Sequence, residues 1–328
     1  MTASGDDRPI LVVGGGRWAR AVLRAVDAVA AEDVVVAVAS PRNACGMRSW
    51  AHDSGFGRRI EVVAEPAAVP TPRAALIANA ARDHVRAASE LAERAVPVLV
   101  EKPLALCADE ARALAELGRV SGALVWPALV CAHDPVLVHA AALLPRPAAV
   151  TIVWRDPSHE RRDGELKRYD PTISVVEDVG AHLWSILDLF GVAEGLVVET
   201  AVARHCGRRS ELRLRTATGT AVDIVVERDG DRRERRVVAS GRGRRIAIEG
   251  FGSPDPVLSV DSVVTSLPRE VVGAERPLTA MVRAFLDCAA DPRRHPVPGH
   301  NRIVAPVELV VALQRAHIAA LAQAANAS

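Results

Sequence analysis

The stretch Ile10-Leu11-Val12-Val13-Gly14-Gly15-Gly16-Arg17-Trp18-Ala19 decides how the rest of the chain is read. Four apolar residues, three of them β-branched, stop abruptly at three glycines. Trp18, Val22, Val26 and Val29 then recur at helical spacing, so a buried strand hands over to a helix spanning residues 17–29. Gly14, Gly16 and Ala19 fit G-x-G-x-x-G/A in the strand–turn–helix context that gives the motif meaning. Gly14 permits the tight turn, Gly16 lets backbone approach a pyrophosphate, and Ala19 lets helix and strand pack closely. The helix N-terminus adds N–H groups and the positive end of a dipole. Gly14, Gly16, Arg17 and Trp18 are therefore candidate dinucleotide contacts. The bland alternative is a glycine-rich turn without a ligand.

Outward from this turn the same rhythm continues. Apolar runs at 34–39, 74–78, 97–100 and 123–126 alternate with helical patterns at 83–94 and 108–120. Strands alternating with helices argue for a parallel sheet covered on both faces. After about residue 147 the pattern changes. A strand at 150–154 precedes a charged segment, 155–170, with no clear period, and a helix at 179–190. Strands then follow one another over 196–249. Leu212 and Leu214 alternate with Arg213 and Arg215, and Asp229-Gly230 is a hairpin signal. Helical patterns return at 278–288 and 304–325. The expected fold is α/β: a Rossmann-type doubly wound parallel sheet over residues 1–124, then an α+β domain over 125–328 with an open, mostly antiparallel sheet.

The end of the second strand bears on cofactor choice. Sites for NAD often carry an acid there to accept from the ribose 2′-OH. Here the segment reads Ala39-Ser40-Pro41-Arg42-Asn43. Ser40 can donate to a 2′-phosphate and Arg42 can pair with one, which favours NADPH/NADP+ over NAD.

Composition narrows the field. The chain has 328 residues, 49% of them apolar, and a net charge of +1. That is enough for two sizeable cores and argues against a disordered chain or a globally basic nucleic-acid binder. Only 3% of residues are aromatic, which leaves few stacking platforms for bases. No run of about 18 uncharged apolar residues suggests a membrane span. The polar start lacks a signal core. Cys45, Cys107, Cys131, Cys206 and Cys288 are far apart with no CxxC, which points to a reduced, cytoplasmic protein without a bound metal. Of 41 basic residues only Lys102 and Lys167 are lysines, and Tyr169 is the single tyrosine. An ammonium can give up its proton in a suitable site, whereas a guanidinium effectively cannot.

Val98-Leu99-Val100-Glu101-Lys102-Pro103 resembles the strand-end Glu-Lys-Pro motif of the Gfo/Idh/MocA oxidoreductase family. Asn79-Ala80-Ala81-Arg82-Asp83-His84 is similar to that family's loop ending in His before a helix. Asp178-Val179-Gly180-Ala181-His182 is similar to its D-x-G-x-H helix, and residues 277–286 to its penultimate helix. The ordered set covers almost the whole chain. The resemblance implies a nicotinamide-dependent oxidoreductase with Lys102 and His182 at the reacting oxygen and Asp178 positioning substrate or lysine. It also implies Asn79, His84, Glu101 and Lys102 along the cofactor.

The chemistry fits these residue types. Hydride transfer at an alcohol or carbonyl carbon needs a group that takes or gives the oxygen's proton, a role open to Lys and His. Asp178 and His182, four apart, share a helix face. The bland readings are a solvated loop lysine, and a helix cap with a satisfied polar pair.

Two departures bear on substrate. Ser185 stands where the family often has a second Asp after the His, and Trp126-Pro127-Ala128-Leu129-Val130-Cys131 replaces an Asn/Arg-containing segment. Both remove groups that bind sugar hydroxyls. The resemblance therefore leaves open a small sugar-like substrate or an imine of the thiazoline type, free or carrier-bound. A non-catalytic NADP(H)-binding regulator on the same fold is the alternative of another class. Lys167, Tyr169 and Ser185 are candidate substrate contacts. Between Arg204 and Arg245 thirteen arginines face six acids. That surface suits an acidic carrier, a solvated sheet face or a subunit interface. The strand-rich second half and the family analogy suggest a homodimer or homotetramer.

Overall fold

A computed structural model describes residues 7–56, 60–159, 161–162, 165–166, 173–295 and 297–326. The chain divides into two compact units. The first comprises residues 1–128 and 278–307, the second 129–277 and 308–328.

In the first unit, strands β1 (Ile10–Val13), β2 (Val36–Ala39), β3 (Ile60–Val63), β4 (Ala74–Ile77), β5 (Val98–Val100) and β6 (Val125–Pro127) form one sheet in the order β3-β2-β1-β4-β5-β6. Every pairing is parallel. The helices between them are α1 (Arg17–Val29), α2 (Ala44–Asp53), α3 (His84–Ala92) and α4 (Ala108–Ser121). Strands β1, β2, β4 and β5 are buried along their whole length, which is why their sequences are continuous apolar runs rather than alternating ones. Of the periodic positions of α1, Val22 and Val26 are buried, Val29 is half-buried and Trp18 is exposed. The segment α2–β3 carries no strong apolar period.

The second unit begins with α5 (Pro135–Leu143), followed by β7 (Ala149–Pro157), the short pair β8 (Arg161–Arg162) and β9 (Glu165–Leu166), and α6 (Val175–Leu189). Then come β10 (Val197–Arg204), β11 (Arg209–Arg215), β12 (Ala221–Gly230), β13 (Glu234–Gly241), β14 (Arg244–Glu249), β15 (Val257–Val260), β16 (Val263–Thr265) and the single-turn α7 (Arg269–Val272). The eight-stranded sheet runs β10-β11-β12-β7-β13-β14-β15-β16. It is antiparallel except where β12 lies parallel to β7.

The hairpin expected at Asp229-Gly230 does not form. Asp229 and Gly230 are the last residues of β12, and β12 and β13 both pair with β7, which lies between them. The inward row of β7, Val150 and Ile152, is matched by Val222 and Ile224 on one side and by Val237 and Ala239 on the other. A central strand so matched outcompetes the local pairing.

Helix α8 (Pro277–Ala290) and helix α9 (His300–Asn326) complete the chain. The domain boundary expected from sequence is corrected here: residues 278–307 belong with the N-terminal unit. Ile303, Val304 and Val307 join its core beside Leu11, Val13, Ile77 and Val100. Phe285 packs edge-on against Trp126 with ring centroids 6.2 Å apart. Helical periodicity shows that a helix has an apolar face but not which core receives it. Helix α9 is apolar and long enough to cross a bilayer, yet its residues serve as core in both units, Val304 and Val307 in one and Val310 and Leu313 in the other. The five cysteines are free thiols.

Candidate functional site

The first unit gathers its candidates at the carboxyl ends of its strands. Gly14 has φ +140°, and a Cβ there would lie 2.5 Å from the Ala78 carbonyl oxygen, so β1 and β4 can only meet this closely at glycine. A Cβ at Gly15 would run into the Ser40 hydroxyl. Asn43 Nδ2 donates to Gly15 O at 2.8 Å and ties the turn to the loop after β2. Gly16 differs from both, because nothing lies within 4 Å of a Cβ built there. It is the N-cap of α1, offers no side-chain cap, and is followed by a first turn without acids. The first amides of α1 are therefore open to an anionic group. Around this opening, Arg17 Nη1, Asn79 Oδ1 and Glu101 Oε1 are buried and lack a hydrogen-bond partner among the described residues. An open cradle at a helix start, with orphaned polar atoms from α1 and from the loops after β4 and β5, fits a dinucleotide.

Two of the predicted residues hold this site together from within. His84 is 2% exposed. Its Nδ1 lies 2.8 Å from Pro103 O and its Nε2 3.2 Å from Asn79 O. Burial pushes its pKa below the usual histidine value against these bonds. The neutral ring carries one N–H, which suits the shorter contact, so His84 ties the start of α3 to the Glu-Lys-Pro loop. Glu101 is 4% exposed. Burial pushes its carboxyl up to about 7, opposed by the Trp18 indole N–H, the Lys102 backbone N–H and the Lys102 charge. The Lys102 amide donates to Glu101 Oε2 at 3.2 Å. Trp18 thus belongs to the site through Glu101, a bond between distant segments with no local signal in the sequence.

At the end of β2, Ser40 is buried beneath Gly15 and Arg42 is exposed, its guanidinium 3.6 Å from Asp83. No acid stands in this segment.

In the second unit, α6 carries Asp178 and His182. The helix starts four residues earlier than its apolar pattern suggests, at a capping box. Glu177 N–H donates to Ser174 Oγ at 3.2 Å, and Ser174 N–H donates to Glu177 Oε2 at 3.4 Å. Asp178 is therefore not the cap, and it shares a helix face with His182 one turn on. The glycine between them is a packing requirement: a Cβ at Gly180 would lie 2.7 Å from Val310 Cγ2 of α9. Ser185 is fully buried and its hydroxyl donates to His182 O at 2.9 Å. Lys167 and Tyr169 lie outside the described residues.

The sequence reading missed what surrounds His182. Its imidazole stacks on Trp154, with centroids 5.2 Å apart and planes at 10°. The Arg235 guanidinium carbon lies 3.8 Å from the Trp154 ring centroid, and Arg235 pairs with Asp156. The available signal was the inward row of β7, Val150, Ile152, Trp154 and Asp156, where an acid ends an apolar alternation.

The crowded arginines of this sheet are largely answered across strands. Arg155 meets Glu227 at 3.1 Å and Glu234 at 2.7 Å, and Arg209 meets Glu227 at 3.5 Å. Arg213 meets Asp223 at 2.8 Å and Arg215 meets Glu199 at 2.5 Å.

The glycine turn, the parallel sheet and the uncapped start of α1 together define a dinucleotide-binding Rossmann domain. Residues 8–129 match the GFO_IDH_MocA family, described as an oxidoreductase family with an NAD-binding Rossmann fold. No curated protein sequence matches the chain. Solved structures share the architecture over nearly the full length. UDP-N-acetylglucosamine 3-dehydrogenase GnnA from Acidithiobacillus ferrooxidans superposes with a TM-score of 0.75 at 17% identity, covering 96% of this chain and 98% of that one. KijD10, a 3-ketoreductase from Actinomadura kijaniata in complex with NADP and TDP-benzene, gives 0.77 at 19% identity, covering 95% and 98%. At these identities the likeness is one of fold.

Proposed function

We propose that the chain is an NADP(H)-dependent oxidoreductase acting on a carbonyl or alcohol carbon of a nucleotide-linked sugar. The observation that carries this reading is the cradle at Gly16, with the orphaned atoms of Arg17, Asn79 and Glu101 around it. The substrate class is suggested by two proteins of the same fold, one acting on UDP-N-acetylglucosamine and one, a 3-ketoreductase, holding a TDP compound.

The backbone from Gly14 to Gly16 and the first amides of α1 bind the pyrophosphate. Asn79 and Glu101 offer acceptors on the neighbouring loops. The exposed Arg42 guanidinium pairs with a 2′-phosphate, a contact that an acid at this position would oppose. When bound, the dinucleotide supplies or accepts the hydride. Lys102 Nζ holds the reacting oxygen and shares its proton. In the second unit the His182 imidazole is the candidate acid–base group, with Asp178 one turn earlier on the same face of α6. Five free thiols suit a reducing, cytoplasmic setting.

The test is a titration of NADPH and NADH followed by turnover of UDP- and TDP-linked sugars and 3-ketosugars. NADPH binds more tightly than NADH, and Arg42→Ala weakens NADPH alone. Equal affinities overturn the cofactor assignment. Lys102→Arg keeps the charge and the dinucleotide affinity but loses most turnover, because the guanidinium holds its proton. Turnover of thiazoline imines in place of ketosugars supports the imine reading. Tight NADPH binding without turnover of either class supports the regulator.

A further inference from the structure

His182 sits half-buried on α6. The second torsion of a histidine is broad, so an imidazole on a helix sweeps its nitrogens through a wide arc unless something holds it. In this chain the Trp154 indole lies parallel to the ring within 10°.

We infer that Trp154 is a positioning residue that fixes the plane of the His182 imidazole, and that Arg235, anchored by Asp156, braces the indole. The kinetic part of this inference rests on the proposed oxidoreductase reading, and the geometric part does not.

The indole is held by its own neighbours. Phe251 meets it edge-on at 5.9 Å. Arg235, its register partner on β13, sets its guanidinium carbon 3.8 Å from the ring centroid. That guanidinium cannot swing away. It pairs with the Asp156 carboxylate and donates to Arg155 O at 2.6 Å and to Glu234 O at 3.0 Å. Arg235 is 3% exposed and Asp156 also 3%.

Fold stability gives little reason for this pair. An apolar pair of similar volume serves a core as well as or better than a buried ion pair, because both charges must be stripped of water. What the ion pair supplies is direction. The carboxylate and two carbonyls fix a planar cation, the cation fixes the face of an aromatic ring, and the ring fixes the plane of a histidine. The row Val150, Ile152, Trp154 and Asp156 places the ring and the acid on one face of β7, two residues apart, as this device requires.

The experiment uses the full chain labelled with 13C-histidine and the variants Trp154→Leu, Trp154→Met and Trp154→Phe. Trp154→Met preserves volume without a ring and stands in should Trp154→Leu not fold. The His182 ring resonance is assigned by its loss in His182→Asn. In the wild type it is shifted upfield by the stacked indole. Trp154→Phe keeps much of the shift, and Trp154→Leu and Trp154→Met abolish it. In kinetics, Trp154→Leu and Trp154→Met lower kcat about 10- to 100-fold, the scale on which a small misplacement of a reacting group acts. Their dinucleotide Kd is unchanged, and Trp154→Phe stays within about threefold of wild type. A wild-type resonance without the upfield shift overturns the inference. So does a ringless variant that loses the shift but keeps wild-type kcat. Should the wild type turn over none of the candidate substrates, the functional reading fails on its own. The resonances then decide the brace, supporting it if the shift follows the ring and overturning it if it does not.

Discussion

Gly14 and Gly16 stand two residues apart and are glycines for different reasons. Gly14 has a left-handed φ and its missing Cβ faces backbone 2.5 Å away, whereas Gly16 faces open space. Gly14→Ala therefore strains the fold itself and lowers the unfolding midpoint. Gly16→Ala leaves the midpoint near wild type and weakens dinucleotide binding, because its methyl fills the approach to the α1 amides. Paired thermal melts and NADPH titrations of the two variants separate these effects. Glu101 makes a second prediction. Its folded pKa of about 7 lies above its ordinary 4.5, so between those values the folded state binds the extra proton. The associated stability is fully present below about pH 4.5 and is lost as pH rises through about 7. Relative to Glu101→Gln, the wild type loses at most on the order of 3 kcal/mol across that window, measured by urea unfolding at pH 5 and pH 8. A wild type that gains stability against the variant as pH rises overturns this. The glycines were legible in the sequence because their chemistry is local. The Trp18–Glu101 bond was not, since neither residue's neighbourhood names the other.

Among the elements, α6 shows how much a pattern conveys and where it stops. Its apolar residues identify the helix, but Glu177 and Asp178 interrupt the apolar pattern in the first turn and hide its start. The Ser174–Glu177 box, a four-residue signature, marks the true beginning. The same box engages α9, since Gln314 Nε2 donates to Glu177 Oε2 at 3.3 Å. Ser174→Ala removes the acceptor for the Glu177 amide and costs about 1 kcal/mol. Hydrogen exchange reads this directly, with amides in the first turn of α6 exchanging about fivefold faster while those of α1 are unchanged. Unaltered exchange in α6 shows the cap to be redundant. Strand order was the harder inference. The alternation along β7, β12 and β13 was readable, but a period of two says only which residues share a face. It does not say that β7 separates β12 from β13, because that choice is made by long-range matching of apolar rows. The lone acid at Asp156 became meaningful only when Arg235 arrived from the neighbouring strand.

For the whole molecule, the decisive question is what the eight-stranded sheet does with its second face. On one face Ser210 bonds His317 of α9 at 2.6 Å, and α6 packs over β11 and β12. The other face presents Thr151, Val153, Val225 and Val238, half-exposed along neighbouring strands. Around them run cross-strand pairs, Arg155 with Glu227 and Glu234, Arg213 with Asp223, and Arg236 with Glu249. Pairing within the sheet leaves this face close to neutral despite its many arginines. A strongly acidic carrier therefore finds little net attraction there, while a second copy can seat against it without repulsion. A two-fold axis through such a face brings the same apolar strip of both copies together, as an isologous contact requires. The protein is accordingly expected to be a homodimer or homotetramer through this face. Light scattering at micromolar concentration gives at least twice the chain mass for the wild type. Val153→Glu combined with Val238→Glu gives a folded monomer, because the double substitution places four carboxylates on the axis at each contact. A monomeric wild type rejects the interface, and a double variant that remains oligomeric moves it to another surface.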